Sequence, residues 1–196
     1  VRRKSKQEMP LPMQETYLSW QVISSQDSQL QVYAFAVPRN IIDRQVETLK
    51  AASLKPRAMD LKPLALARAV NDPNCIVVNL EDQGLGVVLV ANGTPEIIRS
   101  VPQTAEDAGP KERVEKLSQE LNRTIQFYEE AHRGSPLPPE TKIYATGLLL
   151  ESEEIRQLLA KRTPYSVELP NPPMTLPEDF PVAAFSANLG LAMKDL

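Results

Sequence analysis

The chain has 196 residues, is 42% hydrophobic and 24% charged, and carries a formal net charge of −3. That length allows one large or two small domains with a real core. The slightly acidic balance offers no basic footprint for nucleic acid, and no apolar run of about 18 residues marks a membrane-spanning helix.

Residues 1–6 are rich in lysine and arginine and read as a solvated tail. Met9-Pro10-Leu11-Pro12 is an extended lead-in. Leu18, Trp20 and Val22 alternate along a first strand, with Trp20 expected in a core or on a half-buried sheet face. Gln26-Asp27-Ser28 is a turn, and residues 30–37 form a second strand. Pro38 opens a helix, since the first-turn amide has no partner to lose. Ile42, Val46, Leu49 and Ser53 share one of its faces. Residues 58–61 are expected as a short strand, and Pro63 starts another helix. Asn71-Asp72-Pro73-Asn74 is a turn cluster and the expected domain boundary. The first unit, residues 1–72, is then a small α+β subdomain of order strand-strand-helix-strand-helix.

The stretch at 75–101 organises the remainder. Ile76-Val77-Val78 is a β-branched run suited to a strand buried on both faces. A polar break is expected at 79–84, followed by an apolar strand at 85–90. Asn92-Gly93 is a strong hairpin signal, because a type I′ turn needs two residues that tolerate positive φ. Residues 96–101 return as a third strand. A long amphipathic helix is expected from 111 to about 132, with Val114, Leu117, Leu121, Thr124, Tyr128 and Ala131 as its buried stripe. After a Pro-rich connector at 134–139, Ile143-Tyr144-Ala145 form a fourth strand. Ser152 is placed to cap a helix that buries Ile155, Leu158 and Leu159. Residues 165–169 form a fifth strand. Pro181 opens a last helix expected to bury Val182, Phe185, Leu189 and Met193. Residues 73–196 thus read strand-strand-strand-helix-strand-helix-strand-helix, a five-stranded mixed sheet with residues 76–80 near its centre.

The single cysteine, Cys75, excludes an internal disulfide and a multi-cysteine zinc site, and its apolar setting makes it an inert buried thiol. The single histidine, His132, sits where a helix ends and suits the negative end of its dipole. Gly84-x-Gly86 lies within a hairpin rather than between strand and helix, so it is no dinucleotide fingerprint. The two Asn-x-Thr triplets, at 92 and 122, carry no weight without a secretory leader. The chain begins at Val1, and an upstream segment is expected.

The element order of the second unit is that of the ribonuclease-H-like unit from which actin-type ATPases are built. Five stretches make the resemblance specific. MPLPMQETYLSWQVIS and LKAASLKPRAMDLKPLALARAV resemble a small inserted subdomain. IVVNLEDQGLGVVLVANGTPEIIRSVP is similar to a phosphate hairpin followed by an arginine strand, with Arg99 at the arginine. KIYATGLLLESEEIRQLL and FSANLGLAM resemble an adenine-side loop and a terminal helix. Together they resemble the C-terminal part of the PilM family of actin-like, FtsA-related type IV pilus assembly proteins, with the N-terminal nucleotide-binding lobe absent.

The resemblance implies an α/β fold, with the small subdomain followed by an actin-like, ribonuclease-H-like subdomain. It also implies where a nucleotide would lie. The family hairpin carries Asp-x-Gly, whose aspartate positions metal-bound water and whose glycine admits phosphate. Asn79-Leu80-Glu81 stands at that place. A bare Glu81 carboxylate about 4 Å from a phosphate charge would cost about 4 kcal/mol at an effective dielectric near 20, on the order of a thousandfold in affinity. The adenine-side Gly-Gly is matched by Thr146-Gly147. Asn79, Glu81, Thr146 and Gly147 are therefore read as a degenerate nucleotide site, with no catalytic or metal residue. A ribonuclease-H-type nuclease would need clustered carboxylates beginning at position 79. A sugar-kinase-like ATPase would need both lobes and an intact Asp-x-Gly. The reading that follows is a non-catalytic cytoplasmic scaffold, peripheral to the inner membrane, that docks a PilN-like tail and has some capacity for self-association. An FtsA-like division protein or a type II secretion component is the nearest alternative. ATP and Mg are expected only with the missing lobe.

Overall fold

The computed structural model of the chain describes residues 12–26, 29–103, 109–133 and 136–194. The expected basic tail lies outside these residues, as do 27–28 of the first turn, most of the lead-in, loop residues 104–108, and 134–135 of the connector. The chain divides into two compact units, Val1–Met59 and Asp60–Leu196.

In the first unit, β1 (Thr16–Gln26) and β2 (Gln29–Pro38) form an antiparallel ribbon in which Trp20 faces Ala34. Pro38 then caps α1 (Arg39–Ala51). The Tyr17 hydroxyl donates to Asp43 Oδ1 at 2.9 Å, and the Arg39 guanidinium lies 4.6 Å from the Tyr17 ring centre. These contacts turn the odd positions of β1 toward α1. Leu18, Trp20 and Val22 therefore occupy the opposite face with their partners Ala36, Ala34 and Val32. Trp20 is 47% exposed on that face, so it is neither a core residue nor a half-buried sheet residue as expected. On α1 the expected face is present at Ile42, Val46 and Leu49, all partly buried. Ser53 departs from it. It lies past the helix end with φ 62, where the Leu54 N–H reaches back to the Leu49 carbonyl at 2.9 Å. That is the geometry of a left-handed C-terminal cap.

The strand expected at 58–61 is absent, and among the described residues of this unit only β1 and β2 pair. Those four residues make an irregular segment whose Asp60 side chain accepts from its neighbour's backbone N–H, Leu61 N at 2.9 Å. Local side-chain bonding of this kind competes with a strand ladder.

The second unit is built on a five-stranded sheet of order β5-β4-β3-β6-β7. The strands are β3 (Cys75–Glu81), β4 (Gly84–Ala91), β5 (Thr94–Pro102), β6 (Lys142–Thr146) and β7 (Ser166–Glu168). The first three form an antiparallel meander, while β6 and β7 join in parallel. Residues 76–80 are central, as expected. The Asn92-Gly93 turn has φ 51 and 73, the paired positive values that a type I′ hairpin requires.

Because β3 is buried on both faces, its pleat divides the core in two. Ile76, Val78 and Leu80 pack with Val114, Leu117 and Leu121 of α3 (Pro110–Ala131) and with Ile155 and Leu159 of α4 (Glu153–Ala160). Cys75 and Val77 pack with Leu66 and Val70 of α2 (Lys62–Val70) and with Val88 and Val90. The stripe on α3 is buried as expected through Thr124, but Ala131 is exposed. Ser152 stands at the start of α4 without making a side-chain cap. Burial pushes the Cys75 thiol up to about 12, which makes it inert at neutral pH.

The boundary expected at residue 72 falls instead between Met59 and Asp60, so α2 belongs to the sheet unit. The cause is its crossing with α5 (Val182–Ala192). A Cβ built on Gly190 would stand 1.8 Å from the Ala65 carbonyl oxygen, so the two backbones touch where only glycine fits. Arg68 adds a donor, 2.6 Å from the Gly190 carbonyl. This close crossing also sets the face of α5. It buries the small residues Ala183, Ser186 and Gly190, whereas the expected Phe185 is 45% exposed.

Asp60, whose side chain is only 2% exposed, ties this corner together. It accepts from Arg68 at 2.8 Å and pairs with Lys194 at 3.2 Å. Burial alone would raise its carboxyl, but the bonds from Arg68 and Lys194 outweigh burial and hold it below the ordinary carboxylate value. The folded value is the lower one, so this stabilisation is complete above the unfolded value near 4 and is lost as pH falls through the folded value. Asp60→Asn should therefore destabilise the unit by roughly 3 kcal/mol at pH 7, because two cations lose their anion. In urea titrations the gap to the parent chain should shrink toward pH 3. A gap that stays constant with pH would contradict this account of Asp60.

Candidate functional site

The four residues singled out from the sequence lie at one end of the central strands. The polar break expected at 79–84 is shorter than its composition suggests. β3 runs on through Asn79 and Leu80 to Glu81, Glu81 pairs with Gly84, and only Asp82 and Gln83 form the turn. Asn79 lies between Gly86 on β4 and Thr146 on β6 and is 7% exposed. The Thr146 hydroxyl stands 2.8 Å from the Val78 carbonyl and 3.1 Å from Asn79 Oδ1, and its single proton is shared between them. Asn79 and Thr146 thus form a buried cross-strand pair.

Gly147 follows at φ 93, outside the range of ordinary side chains. A Cβ there would stand 2.5 Å from the Leu80 carbonyl oxygen and 2.8 Å from the Leu80 amide nitrogen. Its own N–H donates to Ala183 at the start of α5, at 2.8 Å. The glycine is explained by this internal contact of three backbone segments. The Glu151 carboxylate accepts from the Ala184 N–H at 2.9 Å, which places a negative charge at the positive end of α5.

Glu81 does not stand bare. Lys62, in the first turn of α2, pairs with its carboxylate. The repulsion estimated for an isolated carboxylate therefore does not describe this site, because its charge is matched locally. On the other side of the hairpin, the buried Arg113 of α3 lies 3.4 Å from the Glu81 carbonyl and 3.2 Å from Asp82 Oδ1. The turn is held from both sides. Arg99 borders the groove beside this hairpin, its backbone carbonyl 3.5 Å from a Cβ built on Gly86. Its side chain lies with α3, 3.8 Å from Glu120 and 6.0 Å from the Phe127 ring centre.

Between α2 and the hairpin lies an open groove of about 310 Å³, with Lys62, Leu66, Asn79, Glu81, Gly84 and Gly86 among its lining. Val88 and Val90 fill the equivalent positions further along β4, so the hollow exists because positions 84 and 86 lack side chains. The lining is mostly apolar with one internal ion pair. Among the described residues no three His, Cys, Asp or Glu side chains gather where they could hold a metal ion. Lys62 and Arg113 escape a reading of the sequence because their partners lie 19 and about 31 residues away. Gly190 carried a signal, since glycine inside an apolar helix costs about 1 kcal/mol and needs a packing reason.

No family model and no curated protein matches the chain. Solved structures do. The chain is similar to a structure of the PilM-PilN type IV pilus biogenesis complex with a TM-score of 0.72 and 20% identity, covering 98% of this chain and 70% of that one. It is similar to the ethanolamine utilization protein EutJ from Carboxydothermus hydrogenoformans with a TM-score of 0.54 and 15% identity, over 80% of this chain and 61% of that one. A Bacteroides thetaiotaomicron protein described as having an actin-like ATPase fold matches at 0.48 and 10% identity, over 98% of this chain and 65% of that one. At these identities the likeness is one of fold. The fold class is α/β, a five-stranded mixed sheet packed with helices, as the sequence led us to expect, and its fold is like that of the PilM-PilN complex structure.

Gly147 provides a direct check on the packing account. Gly147→Ala should cost roughly 3 kcal/mol, from a left-handed backbone and a backbone clash together. Thr146→Val should cost about 1 kcal/mol, the size of one hydrogen bond. Chemical denaturation of both variants measures the difference. An alanine variant as stable as the parent would contradict the geometry.

Proposed function

We propose that this chain is a non-catalytic scaffold of type IV pilus assembly, and that it docks a short segment from the cytoplasmic tail of a PilN-like inner-membrane protein. The observation that carries this reading is the likeness to the PilM-PilN complex over 98% of the chain. On this reading the sheet unit is a ribonuclease-H-like subdomain whose nucleotide hairpin has been turned over to packing. The residues where an actin-type ATPase would hold a phosphate are engaged internally: Asn79 with Thr146, and Glu81 with Lys62. The chain is therefore no ATPase by itself, and its place is cytoplasmic, at the inner membrane through its partner. The absence of any helix long and apolar enough to cross a membrane among the described residues is consistent with that.

The first unit supplies a surface for the tail. Trp20 and Val22, 47% and 49% exposed, stand on the face of the ribbon turned away from α1. An extended or helical segment docks on such a face through a few apolar anchors and backbone hydrogen bonds. An exposed tryptophan flanked by small residues, here Ala34 and Ala36, is a suitable anchor for it.

Titration of labelled synthetic tails from PilN-like proteins tests this. The chain should bind one of them, and Trp20→Asp should weaken binding at least tenfold while the circular dichroism spectrum stays unchanged. Equal affinity of parent and variant would remove this face from the proposal. No binding of any tail by the parent would remove the pilus reading itself.

A further inference from the structure

Gly86 has no explanation in the packing. It lies within β4, between Asn79 on β3 and Ser100 on β5. Glycine inside a strand weakens it and often marks a place where a ligand comes close. Unlike Gly93 and Gly147, Gly86 has no positive φ. A Cβ built on it would stand 3.5 Å from the Arg99 carbonyl oxygen and 3.8 Å from Asn79 Cβ, which are ordinary contacts. The same construction excludes a side chain at Gly147 and Gly190. The missing side chain at 86 has one visible effect: it keeps the groove of about 310 Å³ open beside Asn79.

Asn79 supplies a second, independent observation. It lines the groove and is only 7% exposed. Its Oδ1 accepts from the Thr146 hydroxyl. Its Nδ2 donates to nothing among the described residues and keeps its access to the groove. A nearly buried amide donor without a partner is costly, and an acceptor on a ligand satisfies it.

The lining fixes the rest of the ligand's chemistry. Its charged residues are Lys62, Glu81 and Arg99. Lys62 and Glu81 pair with each other, and the Arg99 side chain pairs with Glu120. A charged ligand would therefore lose hydration without gaining a free counter-ion. The walls are mainly apolar, from Pro63 and Leu66 on α2 and Val88 on β4. The floor at Gly84 and Gly86 is bare backbone, and two such positions lie about 7 Å apart along a strand. A fused two-ring aromatic lies flat over that length. Mostly apolar walls with a few convergent polar groups are the usual form of a small-molecule site.

We propose that the groove between α2 and the β3–β4 hairpin binds a neutral, flat ring system, which lies over Gly84 and Gly86 and accepts a hydrogen bond from Asn79 Nδ2. This site is independent of the Trp20 face and of the pilus reading, and its ligand carries no phosphate.

Three probes test it in NMR titrations at neutral pH. Quinoline is flat and has a ring-nitrogen acceptor. Indole is flat and has a donor instead. Cyclohexanone has an acceptor on a puckered ring. Quinoline should shift the amides of Gly84 and Gly86 and the Asn79 side-chain NH₂, saturating in the millimolar range. It should bind at least fivefold more tightly than either of the others. Gly86→Ala places a methyl in the groove and should weaken quinoline at least tenfold, while the denaturation midpoint stays the same or rises, because alanine loses less entropy in a strand. Asn79→Asp keeps an oxygen for Thr146, removes the donor, and should abolish the preference for quinoline over indole. Equal binding of the three probes, shifts confined to other residues, no saturable shift, or unchanged quinoline binding by Gly86→Ala would overturn the proposal. A dimer that shifts the same amides without any probe would give the groove to a second copy and overturn it equally.

Discussion

The second unit depends on one backbone contact, that of Gly147 with Leu80. Strand β6 ends against the central strand so closely that no Cβ fits between them. Everything near the hairpin follows from that approach. It brings Thr146 onto Asn79 and Val78, joins the turn after β6 to the start of α5, and puts Glu151 at the α5 N-terminus. Such a contact tolerates little adjustment, because protein interiors are packed like crystals and small shifts propagate. A second contact of the same kind, Gly190 against Ala65, fixes α5 on α2 and so closes the other face of the sheet.

These two glycine contacts frame the residues expected from the sequence to be a degenerate nucleotide site. A phosphate hairpin works when backbone amides are open to the ligand and a carboxylate is free to order water or metal. Here Asn79 Oδ1 accepts from Thr146 on the neighbouring strand, and Glu81 pairs with a lysine on α2. The charges are matched without a ligand. The same residues that weaken the case for nucleotide chemistry stabilise the hairpin, with Arg113 holding it from behind.

How much of this was legible in the sequence depended on the range of the interaction. The β-branched run at 76–78, the Asn92-Gly93 turn and the stripe along α3 are local signals, and the structure follows them. The long-range contacts were not legible. Nothing near Lys62 announces Glu81, and nothing near Asp60 announces Lys194, 134 residues on. The boundary was misplaced because α2 carries no mark of the sheet to which it belongs. The face of α5 was misread for a related reason: hydrophobicity picks Phe185, but a close helix crossing prefers the small residues Ala183, Ser186 and Gly190. The segment at 58–61 looked like a strand by composition, while Asp60 was committed to a buried ionic corner. The partners of Asn79 and Glu81 lie on other elements and left no local mark in the sequence.

The central proposal is that the hairpin end of the sheet, where Glu81 pairs with Lys62 beside the open groove, takes no nucleotide. Calorimetric titration of the chain with Mg-ATP tests it most directly. The account predicts no saturable heat up to millimolar nucleotide, and no gain on replacing Thr146, whose hydroxyl is already engaged. A dissociation constant in the micromolar range, weakened by substitution at Asn79 or Glu81, would contradict it.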